Sequence, residues 1–309
     1  MNLKALFQRL SIKDNTPLQQ SIYQITDGIA IDKNRGVVKY LDEPADSQSK
    51  VDLSVENNPY EPEVRNLKVE IETNNGVEIR IIPVTFYSIF RRFRDEDERV
   101  RESDANPLIY ALKNERGWSI SRSDRNKIMA ILKKVAVKFK REFNGNVTIV
   151  MPSSKGLNDA FAKCMQEVAP NTKLITKMLS KRKAMEIYEN VEKMGKSPFQ
   201  EYYKNKKGGV DEALQRLFDL CDDMSKRGEG NFTFHDIPTT GGMRDLITKT
   251  LMYSDKTFAQ YAEAINGKDI LLLDDSLYHG NTIRDAVELI ESVFKPKSYT
   301  ALTMFSRAY

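Results

Sequence analysis

The chain has little cysteine and histidine, and it lacks any long apolar run. Its 309 residues include two cysteines, Cys164 and Cys221, and two histidines, His235 and His279. So few sulfur and imidazole ligands exclude a disulfide framework and a Cys/His zinc cluster, and leave the two thiols as small reduced hydrophobes. No stretch approaches the roughly 20 apolar residues that a membrane-crossing helix needs. The opening MNLKALFQRLSIKDN is too polar for a signal peptide, so the expectation is a cytoplasmic protein with no membrane association. A strong excess of one charge is also missing. The 48 Lys and Arg nearly balance the 44 Asp and Glu, for a net charge of +4, and composition alone does not ask for a nucleic acid partner. With 40% hydrophobic residues, the length suffices for one large domain or two moderate ones.

Patterning divides the chain. Residues 1–10 read as a short amphipathic helix. From about Gln20 to Val84 the texture is β-like: GVVKYL (Gly36–Leu41) is a strand, and LKVEIETNNGVEIRIIPV (Leu67–Val84) is a hairpin with Asn-Asn-Gly at its turn. The acid- and Pro-rich stretch between them reads as an exposed loop. RRFRDEDERVRESDANP (Arg91–Pro107) is a mixed-sign turn. The following RSDRNKIMAILKKVAVKFKREF places Ile128, Ile131, Leu132, Val135 and Phe139 at helical spacing. NVTIVM is then a short strand, PSSKG a loop, and LNDAFAKCMQEV a helix with Leu157, Phe161, Met165 and Val168 on one face. TKLITKML is a further strand. Residues 184–264 are mainly helical in pattern, KDILLL is a strand, Thr282–Phe294 a helix and SYTALTMF a final strand. Strands alternating with helices, and nearly continuous in apolar residues, predict a parallel sheet covered on both faces.

The chemistry concentrates in DILLLDDSLYHGNTIRDAVELI (Asp269–Ile290). A pair of acids that ends a strand often does no more than cap a turn. Here Ile270–Leu273 form a buried strand, which puts Asp274 and Asp275 at its C-terminal edge, where open α/β sheets bind ligands. Ser276, Leu277, Tyr278, His279, Gly280 and Asn281 form a tight loop. Thr282 is the expected helix N-cap, with Asp285 three residues on. Ile283, Ala286, Val287, Ile290 and Phe294 face the sheet. A loop feeding a helix N-terminus is a phosphate seat. The adjacent carboxylates suit vicinal hydroxyls or Mg²⁺. A ribose 5-phosphate has that shape.

ILLLDDSLYHGNT resembles the PRPP-binding signature of type I phosphoribosyltransferases at the apolar run, both acids, Gly280 and Thr282. It departs at Tyr278 and His279, where that family usually has small hydroxyl residues; His279 reads either as an anion donor or as an exposed loop residue. NVTIVMPSSKGLNDAFAKCM resembles the strand, pyrophosphate loop and helix of the same fold, in the layout of the ComF-like branch, and LIYALKNERG and ALTMFSRAY echo it. The four-cysteine zinc module common in that branch is missing, and the segment from Lys183 to Asp269 is much longer than usual.

The resemblance implies an α/β fold: a type I phosphoribosyltransferase-like parallel sheet flanked by helices. An N-terminal β-rich subdomain would occupy residues 1–100 and the phosphoribosyltransferase-like domain 101–309, with a helical insertion at about 184–264. It further implies a Mg²⁺-dependent enzyme that transfers phosphoribosyl between pyrophosphate and a nitrogenous base, in either direction. Asp274 and Asp275 would hold the diol, the developing ring charge and the metal. Ser276–Thr282 would hold the 5′-phosphate. Ser153, Ser154, Lys155, Gly156, Lys181 and Arg182 would bind pyrophosphate. Asn205–Val210 and Thr239–Asp245 are candidate lids, Tyr202, Tyr203, Phe232 and Phe234 candidate stacking residues, and a homodimer is allowed. The alternative is a non-catalytic PRPP-sensing regulator, or a nucleic-acid-associated protein that would use the basic helix NKIMAILKKVAVKFKR. A phosphoryl-transfer fold would leave the Gly-Asn-Thr cup unexplained.

Overall fold

In a computed structural model of the chain, the residues described are 23–26, 29–32, 35–40, 51–55, 58, 60–73, 76–92, 106–115, 117–140, 146–153, 156–183, 186–187, 189–190, 193, 219, 226, 247, 249–254, 257–277 and 280–308. The expected N-terminal helix, both lid candidates, the four stacking aromatics, Ser154, Lys155, Tyr278 and His279 lie outside them.

The central element is a seven-stranded sheet. Its five parallel strands run β6 (Gly76–Arg92), β13 (Ser298–Ala308), β12 (Asp269–Ser276), β8 (Val147–Val150) and β9 (Lys173–Ile175) in spatial order. Two antiparallel strands, β4 (Val51–Asp52) and β5 (Tyr60–Thr73), pair with β6. The expected hairpin is present and longer than its alternating core: Thr73 pairs with Gly76 across a two-residue turn. It is no separate unit, because β6 continues past the hairpin to pair with β13 from Tyr299↔Val84 onward. The division expected near residue 100 therefore does not separate the sheet. A second, four-stranded sheet holds β1 (Tyr23–Thr26), β2 (Ile29–Asp32), β3 (Val37–Tyr40) and β7 (Ser119–Ile120).

The central strands are buried on both faces, which is why they read as unbroken apolar runs. Leu271 and Leu273 of β12 belong to one core, together with Leu108, Leu112, Leu132 and Phe161 from helices α1 (Asn106–Lys113), α2 (Arg122–Phe139) and α3 (Leu157–Val168). Ile270 and Leu272, one residue out of phase, belong to the other core, with Ile283, Val287 and Ile290 of α5 (Asn281–Val293) and Ile265 of α4 (Ala262–Ile265). The result is a mixed α/β protein with a mostly parallel sheet flanked by helices. Each fully buried Leu or Ile contributes about 1.5–3 kcal/mol. Of the helix faces expected from spacing, Ile128, Leu132, Val135 and Phe139 on α2 and Leu157, Phe161, Met165 and Val168 on α3 are buried, and Ile131 is partly buried against the same core.

Two expectations need correction. The stretch TKLITKML is not one strand. Lys173–Ile175 stays in the sheet, while β10 (Leu179–Lys181) leaves it and pairs antiparallel with β11 (Leu251–Tyr253). That pairing also places a strand inside the segment read as a helical insertion. Its apolar residues, Leu251 and Leu179, are buried against the α5 side of the sheet. A three-residue strand gives no period-2 signal to distinguish it from a helix turn. Among the described residues, no helix is long and apolar enough to cross a membrane.

Candidate functional site

Connections from the two central strands diverge. After β8 the chain passes through α3, on one face, to β9; after β12 it passes through α5, on the other face, to β13. Neighbouring parallel strands whose crossovers run to opposite faces and opposite sides define a topological switch point, and a crevice opens beyond their C-terminal ends. Register exposes this crevice. β8 pairs with β12 as far as Leu273↔Val150, with one further bond from Met151 N to Leu273 O at 2.9 Å. β12 continues, paired with β13, to Ser276↔Phe305. Asp274 and Asp275 thus stand where β8 has already turned away.

Both loops at the crevice end in a left-handed glycine that serves as a helix N-cap. Gly156 caps α3 at φ 68°, and Gly280 caps α5 at φ 82°, and neither helix has a side-chain capping bond. Side chains rarely adopt such φ values, so glycine is the economical choice. Thr282 is therefore not the N-cap expected for α5, and Asp285 does not complete a capping box. Asp285 is buried and accepts from Thr250 N at 2.7 Å and Thr250 Oγ1 at 2.6 Å. It ties α5 to the base of the β10–β11 ribbon, and burial raises its pKa above the ordinary aspartate value.

The acidic pair is engaged by the protein itself. Asp274 and Asp275 are only 8% and 7% exposed. Asp274 Oδ1 accepts from Asn158 Nδ2 at 3.1 Å and from Asp275 N at 2.8 Å. Asp275 Oδ1 accepts from Ser276 Oγ at 2.8 Å, and its Oδ2 lies 2.7 Å from Lys113 Nζ. Burial, reinforced by the charge of Asp275, holds the Asp274 carboxyl above the ordinary range. Burial pushes Asp275 the same way, but Lys113 and Lys181 overcome it and hold that carboxylate below the ordinary range. The Lys113 ammonium is opposed by burial, yet its pairing with Asp275 raises its pKa overall. Lys181 has less compensation, and burial lowers its pKa despite the attraction of Asp275. Environments that push two neighbouring carboxyls apart give one a proton-holding role and the other a fixed negative charge.

Two buried polar atoms on the elements that flank this tip have no hydrogen-bond partner: Ser153 Oγ on the loop after β8 and Asn158 Oδ1 on α3. Buried polar groups are normally paired, and Asn158 is the residue whose side-chain amide donates to Asp274. Arg65 from β5 packs its guanidinium over the Phe86 ring at 5.0 Å and pairs with Glu63 at 2.8 Å. Its Nη1 would lie 3.6 Å from a Cβ on Gly280. The hairpin thus brings a cation to the loop preceding α5.

Of the residues expected from the sequence, Ser276 donates to Asp275, which also feels the Lys181 charge; Ser153 follows β8, and Gly156, Gly280 and Asn281 stand at the starts of α3 and α5. Leu277 is core rather than crevice, buried with Ile283 and Phe86. Arg182 turns to the ribbon, where its Nε donates to Leu251 O at 3.0 Å. Lys113, Asn158 and Arg65 were not assigned roles from the sequence. Lys113 falls there in LIYALKNERG, and Arg65 just before the hairpin expected from Leu67. No protein-family model matches the chain, and neither does any curated protein sequence.

Proposed function

We propose that this chain binds PRPP on a type I phosphoribosyltransferase-like fold and transfers phosphoribosyl between pyrophosphate and a nitrogenous base. One observation carries the reading: two helix N-termini, each reached through a left-handed glycine without a side-chain cap, flank an acidic strand tip at the switch point. A sugar with an anionic group at each end matches that layout. The α5 N-terminus, with Asn281, Thr282 and Arg65 beside it, takes the 5′-phosphate. Asp275 accepts from the ring hydroxyls and opposes the positive charge that develops at C1. Ser153, Gly156 and Lys181 meet the pyrophosphate.

A divalent ion held directly by Asp274 and Asp275 does not fit this arrangement. Four of their acceptor sites are filled, by Asn158, the Asp275 amide, Ser276 and Lys113. Among the described residues, no group of three or more His, Cys, Asp or Glu converges on a metal position. Mg²⁺ belongs to the proposal as the counter-ion of the pyrophosphate group.

A specific observation favours a second reading, a non-catalytic PRPP sensor: a carboxylate already neutralised by Lys113 opposes ring charge less well than a bare one. The nucleic-acid variant has less support, because three of the four lysines of α2 have partners within the protein. Lys133 pairs with Glu167 at 2.6 Å, Lys138 donates to the Val55 and Asn58 carbonyls, and Lys127 lies over Tyr40.

Incubation with PRPP, Mg²⁺ and a panel of nitrogenous bases, followed by pyrophosphate release, separates the readings. The enzyme releases pyrophosphate with at least one base, and the Asp274→Asn/Asp275→Asn double variant does not. Saturable PRPP binding without turnover selects the sensor. No PRPP binding by the wild-type protein ends both.

A further inference from the structure

The buried ion pair at the strand tip has a consequence for how the acids work. Lys113 Nζ sits 2.7 Å from Asp275 Oδ2, and both side chains are nearly sealed from solvent. A lysine at the end of an amphipathic helix normally extends its ammonium into water. This one is only 5% exposed, while its neighbours Leu108, Ile109, Ala111 and Leu112 anchor α1 in the core. The helix is thereby fixed with its last side chain directed at the acids. Magnesium requires near-octahedral oxygen ligands at roughly 2.0–2.1 Å and keeps much of its water. An ammonium hydrogen-bonded to the same carboxylate oxygen occupies that space and supplies the charge.

We infer that Lys113 is the resident cation of the Asp274–Asp275 pair, so that the acids grip their ligand's hydroxyls without a divalent ion bound to them. Lys113 is a positioning residue: it holds Asp275 ionised and oriented, and leaves Asn158 Oδ1 and the outer carboxylate edge for the sugar. The ligand part of this inference rests on the PRPP reading; the exclusion of metal does not.

Mn²⁺ titration followed by electron paramagnetic resonance tests the exclusion without any substrate. The full chain is compared with Lys113→Gln, which removes the charge but keeps a donor for Asp275, and with Lys113→Gln/Asp275→Asn. The wild type should show no Mn²⁺ site at these acids. Lys113→Gln should gain one, about tenfold or more tighter than any wild-type binding, and the double variant should lose it again. Wild-type Mn²⁺ binding that Asp275→Asn abolishes would overturn the inference, and so would a Lys113→Gln protein that folds and gains nothing. If Lys113→Gln does not fold, ribose 5-phosphate binding by the wild type decides. Equal affinity in EDTA and in Mg²⁺ supports a resident lysine, and about a tenfold or greater loss in EDTA contradicts it. A protein that excludes Mn²⁺ as described yet binds neither ribose 5-phosphate nor PRPP keeps Lys113 as the resident cation and discards the PRPP reading.

Discussion

The strand–loop–helix unit of β8 and α3 and that of β12 and α5 are built alike but charged differently. Each leaves the sheet at the same end, turns through a left-handed glycine and opens a helix with no side-chain cap. The first turn of α3 carries Asp159, whose Oδ2 would lie 3.7 Å from a Cβ on Gly156, whereas the first turn of α5 carries no acid and has the Arg65 guanidinium nearby. A carboxylate at a helix N-terminus already satisfies part of its positive end. On the proposed reading the α5 unit is therefore the stronger anion seat of the two, although its own strand ends in two acids. Those acids can stand beside it because Lys113 and Asn158, from other helices, absorb their charge and lone pairs.

That contrast can be broken most forcefully at the lysine. Lys113→Ala leaves Asp275 buried without its hydrogen-bonded cation, with only the Lys181 charge remaining, and should lower stability in chemical denaturation by about 3–5 kcal/mol; adding Asp275→Asn should restore most of the loss. The glycines come next. Alanine at Gly280 or Gly156 meets no clash, only an unfavourable φ, so each should cost about 1 kcal/mol. If the α5 unit is the stronger seat, Gly280→Ala should also weaken ribose 5-phosphate binding about tenfold, and Gly156→Ala should leave it nearly unchanged.

A pH effect follows at Asp285. Its folded pKa is raised above the ordinary value of 3.8, so the folded protein keeps that proton after the unfolded chain has lost it. Stability is then lost as pH rises above 3.8 through the folded pKa, and levels off beyond. Denaturation across that range should show Asp285→Asn gaining on the wild type as pH rises. The reverse trend would mean that Thr250 and Arg284 outweigh burial. The smallest effect belongs to Asp159→Asn. It should change stability by only a few tenths of a kcal/mol while tightening pyrophosphate binding in a calorimetric titration, making the α3 unit more like its counterpart.

Much of this layout was legible in the sequence because it is local. Ile270–Leu273 could only be a strand buried on both faces, and Gly280 between a loop and an apolar helix period marked the turn into α5. The faces of α2 and α3 followed from spacing alone. What escaped was non-local. Nothing near Lys113 in sequence announces a carboxylate more than a hundred residues away, and Arg65 precedes the alternating run that marked the hairpin. The β10–β11 pairing joins three-residue strands across a long intervening segment, so neither strand carries enough pattern to be recognised. The placement of Thr282 as a cap failed for a local reason: a left-handed glycine two residues earlier starts the helix before a hydroxyl is needed.

The central claim is that the two loops at the switch point hold opposite ends of one ligand. Hydrogen exchange of the full chain with and without PRPP tests it directly. Bound PRPP should slow exchange of the backbone amides in both 152–158 and 276–283, and the Asp274→Asn/Asp275→Asn variant should show no slowing in either. Protection confined to one loop, or to neither while PRPP still binds, would contradict the account.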